Sequence, residues 1–245
     1  MTVTVPASVR PLLIRVGRLA DRRGVRAYAV GGCVRDWLLG RAATPDLDVT
    51  VEGDGLGLAR QVGSELDHPV TVHQQFGTAT IGTRSVRLDL ATCRHETYAK
   101  PGAYPRVAAG SLREDLFRRD FTINAMAVAL KPEGFGALID PYGGRRDLQR
   151  RALRILHANS FLDDPSRILR GIRFLLRFGL RWERGTEAAL RDAVAAGALG
   201  WLNAGRWEKE LVRMCEEPDP RACFRQLAVL LERTNGRHGR RAAAA

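Results

Sequence analysis

Residues 26–52 constrain the fold more than any other stretch of the chain. RAYAV is short and apolar, GGCVRDWLLG opens on two glycines and has helical spacing to Gly40, and PDLDVTVE resumes a strand pattern. A strand, a Gly-Gly turn, a short helix and a second strand form one unit. It brings the turn and the head of the second strand to the same edge of a sheet. Side chains alternate along a strand, so Asp46 and Asp48 point the same way, with Leu47 between them pointing the other.

The rest of the first half extends that sheet. GLGLARQVGSEL (55–66) has helical spacing, and VTVHQQ, GTATIGT and VRLDLAT read as three further strands, with a hairpin turn at 82–85. Residues 94–111 read as a long loop rich in Gly, Pro and polar groups. After Asp120 the pattern turns mostly helical. FTINAMAVAL reads as a buried apolar helix with Asp120 as its N-cap, DPYGG as a turn, and RDLQRRALRIL as helical. FLDDPSRILRGIRFLLRFG is the clearest helix, and further helices are expected near 186–196, 205–216 and 219–232. The expected fold is an α+β head, a mixed sheet with flanking helices, over 1–150. An all-α neck follows over 151–235, and a disordered tail over 236–245.

Charge narrows the partners. The chain carries 39 Lys+Arg against 27 Asp+Glu, a formal net charge of +12, and arginine supplies nearly all of the excess. Arginine suits bidentate phosphate contact, so a polyanionic partner is expected, although a GC-rich genome also favours arginine over lysine. No apolar run approaches the roughly 20 residues of a membrane span. The N-terminus lacks the apolar core of a signal peptide, and Cys33, Cys93, Cys215 and Cys223 form no CxxC pair. These features place the chain in the cytoplasm, with no membrane partner.

Four motifs carry chemistry. The glycines of GGCVRD let a backbone pass close to a phosphate at a helix N-terminus, and Arg35 in the first turn opposes the helix dipole unless an anion is near. Asp46 and Asp48 can hold Mg²⁺, with Asp89 of VRLDLAT as a candidate third carboxylate. Alone, an Asp-x-Asp on a strand most often faces water. In RRDFTINAMA one arginine is available to a triphosphate. In DDPSRILRGIR, Asp164 can cap a helix with Pro165 at its first position. Arg167, Arg170, Arg173 and Arg177 then fall on an arc of about 120°. A solvated basic face normally mixes in glutamates and this one has none, which points to a bound anion.

Taken in order, GGCVRD, PDLDVTVEGD, DLATCRHETYAKPGAYP, EDLFRRDFTINAMA, IDPYGG and DDPSRILRGIRF resemble the class II tRNA nucleotidyltransferases. That family comprises CCA-adding enzymes and bacterial poly(A) polymerases, and the resemblance covers roughly residues 26–232. It implies a polymerase-β-type nucleotidyltransferase head and a helical neck. It also implies transfer of a nucleoside monophosphate from CTP or ATP to the tRNA 3′ end. By the family pattern Asp46 and Asp48 bind Mg²⁺, and Gly32, Arg35 and Arg119 touch the triphosphate. Asp164 and Arg167 pair with the incoming base, and Arg170 and Arg173 complete the nucleotide pocket. An acceptor–donor pair of that kind matches the exocyclic amine and ring nitrogen of cytosine or adenine.

The family's Glu-Asp reads Asp163-Asp164 here, a mild change. Members that add only CC have a shortened loop where this chain keeps RHETYAKPGAYP, so addition of the terminal A, within CCA or alone, is expected. Full-length relatives continue into body and tail domains that hold tRNA. This chain stops near the end of the neck, so its tRNA affinity is expected to come from the basic neck, to come from another chain, or to be weak. Poly(A) polymerase activity, or a catalytically weak RNA- or nucleotide-binding module, are the alternatives.

Overall fold

The computed structural model describes residues 1–42, 45–83 and 86–242. The chain divides into two compact units. The first comprises Met1–Glu96 and Val107–Arg145, and the second Thr97–Arg106 and Arg146 onward. The sequence places 97–106 within the head, whereas the structure groups this segment with the helical unit.

The first unit begins with α1 (Arg10–Arg22), followed by β1 (Arg26–Val30), α2 (Gly32–Leu38), β2 (Asp46–Glu52) and α3 (Gly55–Leu66). Then come β3 (Val70–His73), β4 (Thr78–Gly82), β5 (Arg87–Thr92), β6 (Arg94–Thr97), β7 (Arg106–Ala109), α4 (Leu112–Phe117), β8 (Ala127–Ala129) and β9 (Leu138–Ile139). Among the described residues these build a seven-stranded mixed sheet ordered β3-β4-β5-β2-β1-β8-β9. β2 runs parallel to β5 on one side and antiparallel to β1 on the other. Leu47, Val49 and Val51 of β2 are fully buried in the core with residues of α1 and α3 such as Leu13 and Leu58. Each such side chain contributes about 1.5–3 kcal/mol. Alternation therefore sends Asp46 and Asp48 to the opposite, open face.

The segment 121–129 differs from the sequence-based expectation. FTINAMAVAL is not a helix: a single 3-10 turn at Thr122–Asn124 leads into β8, a strand of the central sheet. Phe121, Ile123, Met126 and Val128 are all fully buried. The polar Thr122 and Asn124 are buried too, and AMAVAL after them has no polar interruption, so the periodicity shows no solvent face and cannot separate strand from helix. Asp120 accepts from the Phe121 N–H at 2.7 Å and Asn124 Nδ2 at 2.9 Å instead of capping a helix. The expected loop 94–111 contains β6 and β7, which pair as a small second sheet. Of the predicted hairpin turn at 82–85, residues 84 and 85 lie outside the described residues.

The second unit contains α5 (Gly144–Gln149, which begins in the first unit), β10 (Ala152–Leu153), α6 (Ser160–Asp163), α7 (Ser166–Phe178), β11 (Arg181–Trp182), α8 (Arg184–Ala195), α9 (Ala204–Cys215) and α10 (Pro220–Ala242). It is mostly helical, with a two-residue parallel ladder of β10 with β11 and the non-helical segment 97–106. α10 runs through residues 236–242, where the sequence predicts disorder. Residues 243–245 lie outside the described residues.

One glycine sets how closely α1 lies on the sheet. A Cβ on Gly17 would sit 1.8 Å from the Leu130 carbonyl oxygen, and rigid backbone cannot give way to it. Helix propensity alone predicts that Gly17→Ala stabilises the protein by about 1 kcal/mol. The packing predicts the reverse sign, a loss of about 2 kcal/mol or more in a denaturant titration.

Candidate active site

In the first unit the register of β2 on β5 sets Asp48 beside Asp89 and Asp46 beside Arg87. The β1–α2 turn lies at the same edge. Gly31 has φ 78°, and a Cβ there would come within 2.8 Å of Arg119 Nη1 and 3.7 Å of Asp48 Oδ2. The glycine leaves room for that guanidinium beside Asp48. A cleft of about 380 Å³ opens here, lined by Asp48, Asp89, Thr80, Arg87, Arg118 and Arg119, among others.

The charges in this cleft are unequally satisfied. Burial drives the Asp48 carboxyl pKa up, Arg119 opposes the rise, and Asp89 and Asp46 add to it. Its side chain nevertheless keeps an open edge. Asp46 is exposed. Asp89 is already engaged, accepting from Thr80 Oγ1 at 2.5 Å and pairing with Arg87 Nε at 3.0 Å. Among the described residues no three acidic, histidine or cysteine side chains converge as a metal cage. Two adjacent carboxylates, with the remaining positions left to water and phosphate oxygens, fit the needs of Mg²⁺, which seldom takes an all-protein cage.

Arg119 is aimed by a residue that the sequence reading passed over. Asp115, with no exposed surface, accepts from Arg119 Nη2 at 3.1 Å and from Arg118 Nε and Nη2 at 3.0 and 2.9 Å. α4 carries it on a capping box of Ser111 and Glu114. The i, i+3 and i, i+4 spacing in EDLFRRD was the available signal. Arg119 Nε is buried with no hydrogen-bond partner among the described residues, which leaves donor capacity on the group beside Asp48.

Arg35 does something other than expected. Its guanidinium is buried, donating to Asn124 Oδ1 at 2.6 Å and to both Asp36 oxygens at 3.1 Å. It ties α2 to the 3-10 turn, and Asn124 continues the chain of bonds to Asp120. The carboxylate of Asp36 is thus one anion that offsets Arg35 in the helix. Gly32, the first residue of α2, lies under this guanidinium, 3.4 Å from Arg35 Nη2 to a Cβ placed there.

In the second unit Asp164 and Arg167 lie at the start of α7. Arg167 donates to Ser160 Oγ at 2.7 Å and Tyr98 OH at 3.5 Å, and its Nε stands 3.9 Å from Asp164 Oδ2. Asp164 accepts from the Ser166 N–H and hydroxyl, holding the first turn of α7 much as a cap does. The arginine stripe further along α7 is answered by protein. Glu210 and Glu217, both buried, take Arg173 at 2.7 and 2.9 Å, and Glu217 takes Arg177 at 2.5 Å. Arg170 is 3.6 Å from Glu210. Protein thus answers part of the stripe's charge: its missing glutamates come from α9 and the turn after it, which one helix's pattern cannot reveal.

Burial pushes the Asp115 carboxyl pKa up, but the adjacent Arg119 and Arg118 outweigh this and hold it below the usual carboxylate range. A depressed folded-state pKa means stability that is present above the unfolded value and lost as the pH falls through the folded one. Asp115→Asn is expected to cost about 3–5 kcal/mol at pH 7, the penalty for unpairing buried charge. Urea titrations of the two proteins should converge in acid, as wild-type Asp115 protonates. A difference independent of pH would remove the charge from this account.

The poly A polymerase head domain family matches residues 27–154, just over half of the chain. The A-adding tRNA nucleotidyltransferase of Halalkalibacterium halodurans is 42% identical over 222 residues, covering 89% of this chain and 52% of that protein. The CC-adding tRNA nucleotidyltransferase of the same organism is 34% identical over 200 residues, covering 81% and 46%. The chain thus spans about half the length of the curated relatives it matches here. A solved tRNA nucleotidyltransferase complexed with a primer tRNA and an incoming ATP analog is 40% identical with a TM-score of 0.79, covering 88% of this chain and 60% of that one. With a matching head, a mixed sheet that carries an open aspartate pair beside the glycine turn and a helical second unit, the chain belongs to the poly A polymerase head domain family.

Proposed function

We propose that the chain is the head and neck of a template-independent tRNA nucleotidyltransferase that transfers AMP from ATP to the 3′ hydroxyl of tRNA ending in CC. The observation that carries this reading is the pair Asp46 and Asp48 on the open face of β2, with Asp48 and Arg119 meeting at the Gly31 turn. Greater identity to the A-adding than to the CC-adding relative within one organism supports A over CC addition. The retained stretch RHETYAKPGAYP supports it too.

In the reaction the tRNA O3′ forms a bond to the α-phosphorus, the bond from that phosphorus to the bridging oxygen breaks, and pyrophosphate leaves. Asp46 and Asp48 are the residues that would hold Mg²⁺, and Mg²⁺ supplies charge neutralisation for attacking and leaving oxygens. Arg119, held by Asp115, directs Nη1 to the turn where phosphate oxygens fit and offsets their charge. Gly32 begins α2 with its free backbone N–H groups at that same turn. Asp164 as acceptor and Arg167 as donor match adenine, as they match cytosine, and reject uracil and guanine by leaving polar groups unpaired. Arg170 and Arg173, bound to Glu210 and Glu217, keep α7 in place under that pair and leave base contact to Arg167. No helix among the described residues is long and apolar enough to cross a membrane, and we place the protein with the cytoplasmic tRNA pool.

Labelled ATP and CTP, offered with Mg²⁺ to tRNA ending at the discriminator base, in C or in CC, test this reading. A single A on the CC end is expected, and EDTA should stop the reaction. Asp46→Ala or Asp48→Ala should lower the rate by about 10³-fold or more with the fold intact. Ordered CCA would widen the assignment, and long A tails would move it to poly(A) synthesis. No incorporation on any primer would leave a binding module.

A further inference from the structure

We propose that Arg206 is a positioning residue for base selection: it locks one oxygen of Asp164 and so leaves the other as the only acceptor offered to a base. The proposal rests on reading Asp164 and Arg167 as the pair that meets the incoming base.

The contacts around Asp164 are lopsided. Oδ1 accepts from the Ser166 N–H at 3.0 Å, from Ser166 Oγ at 2.5 Å, and from Arg206 Nη2 in a close ion pair. Three donors fill its accepting capacity. Among the described residues Oδ2 has one charged neighbour, Arg167 Nε, at 3.9 Å, beyond hydrogen-bond reach. One oxygen is fixed and one is free.

Arg206 is itself held at several points. It lies in the first turn of α9, where Asn203 caps its N–H at 3.0 Å. Nη1 donates to the Gly102 carbonyl at 3.1 Å, and the guanidinium stands 5.7 Å over the Tyr104 ring. The Tyr104 hydroxyl accepts from Asn203 Nδ2 at 3.1 Å. A cation in the first turn of a helix opposes the dipole, and the Asp164 carboxylate offsets that cost.

Rigidity matters because of the reversed pattern. Adenine and cytosine present an amine donor beside a ring acceptor, while uracil and guanine present a carbonyl acceptor beside a ring N–H donor. A mobile carboxylate can swing to the ring N–H while Arg167 donates to the carbonyl, and a wrong base is then accepted. With Oδ1 pinned by Ser166 and Arg206 the carboxylate cannot make that swing, and discrimination is preserved.

Equilibrium dialysis of the full chain against labelled ATP, CTP, GTP and UTP, each with Mg²⁺, tests this without requiring turnover. Arg206→Met should lose about ten-fold or more of the preference for ATP over GTP and UTP. Arg206→Lys, which keeps one charged donor, should retain an intermediate preference, and Ser166→Ala should lose less than Arg206→Met. These two variants carry the test if Arg206→Met does not fold by circular dichroism. Equal weakening of all four nucleotides with unchanged ratios in the Arg206 variants means a merely structural role and overturns the proposal. If Asp164→Ala loses the preference while the Arg206 variants keep it, the proposal falls and the base-pairing reading stands. If the wild type shows no preference, or Asp164→Ala keeps it, that reading falls and the proposal with it.

Discussion

A carboxylate with no exposed surface, Asp115, holds two arginines, and the open cleft depends on that clamp. Two guanidiniums beside one buried carboxylate would be intolerable if the carboxylate were removed, and the carboxylate would be intolerable without them. Together they fix Arg119 against the Gly31 turn, opposite Asp48. The sheet contributes the other half: parallel pairing of β2 with β5 brings Asp48 and Asp89 side by side, and antiparallel pairing of β2 with β1 brings the glycine turn to the same edge. A concentrated negative cluster then faces a positive one across a cleft wide enough for phosphate.

The second unit solves a like problem with different residues. α7 presents arginines that repel one another, and Glu210 and Glu217 offset part of that charge from inside. Glu210 also takes Arg213 of its own helix at 3.1 Å. Bonded on this scale, the network holds α7 to α9. The start of α7, where Asp164 and Arg167 lie, is thereby kept in one place. In both units buried carboxylates hold arginine side chains and leave the outward polar atoms to do the chemistry.

Much of this was legible in the sequence. The strand–glycine–helix–strand unit and the one-sided aspartates follow from period-two alternation, and the structure has them. What was not legible depended on partners distant along the chain. The arginine stripe suggested a bound anion because a single helix cannot show that Glu210 and Glu217 lie against it. Arg35 suggested a phosphate because its partner Asn124 stands on another element. In FTINAMAVAL the polar Thr122 and Asn124 are buried along with their apolar neighbours and AMAVAL has no polar position, so no solvent face separates strand from helix. The helical spacing of Asp115 from Arg118 and Arg119 is visible in EDLFRRD, but the complete burial of its carboxylate between them is a tertiary fact.

The central claim is that Asp46 and Asp48, with Arg119 beside Asp48, form the site where Mg²⁺ and nucleotide are proposed to meet. Thermal unfolding with and without saturating Mg²⁺·ATP tests it most directly. At about 100 times Kd a ligand bound only by the folded state adds about 2.7 kcal/mol, which for a chain of this size raises the midpoint by about 5 °C or more. The wild type should show that rise, and a variant with both Asp46→Asn and Asp48→Asn should not. An equal rise in the variant would place the nucleotide elsewhere and contradict the account.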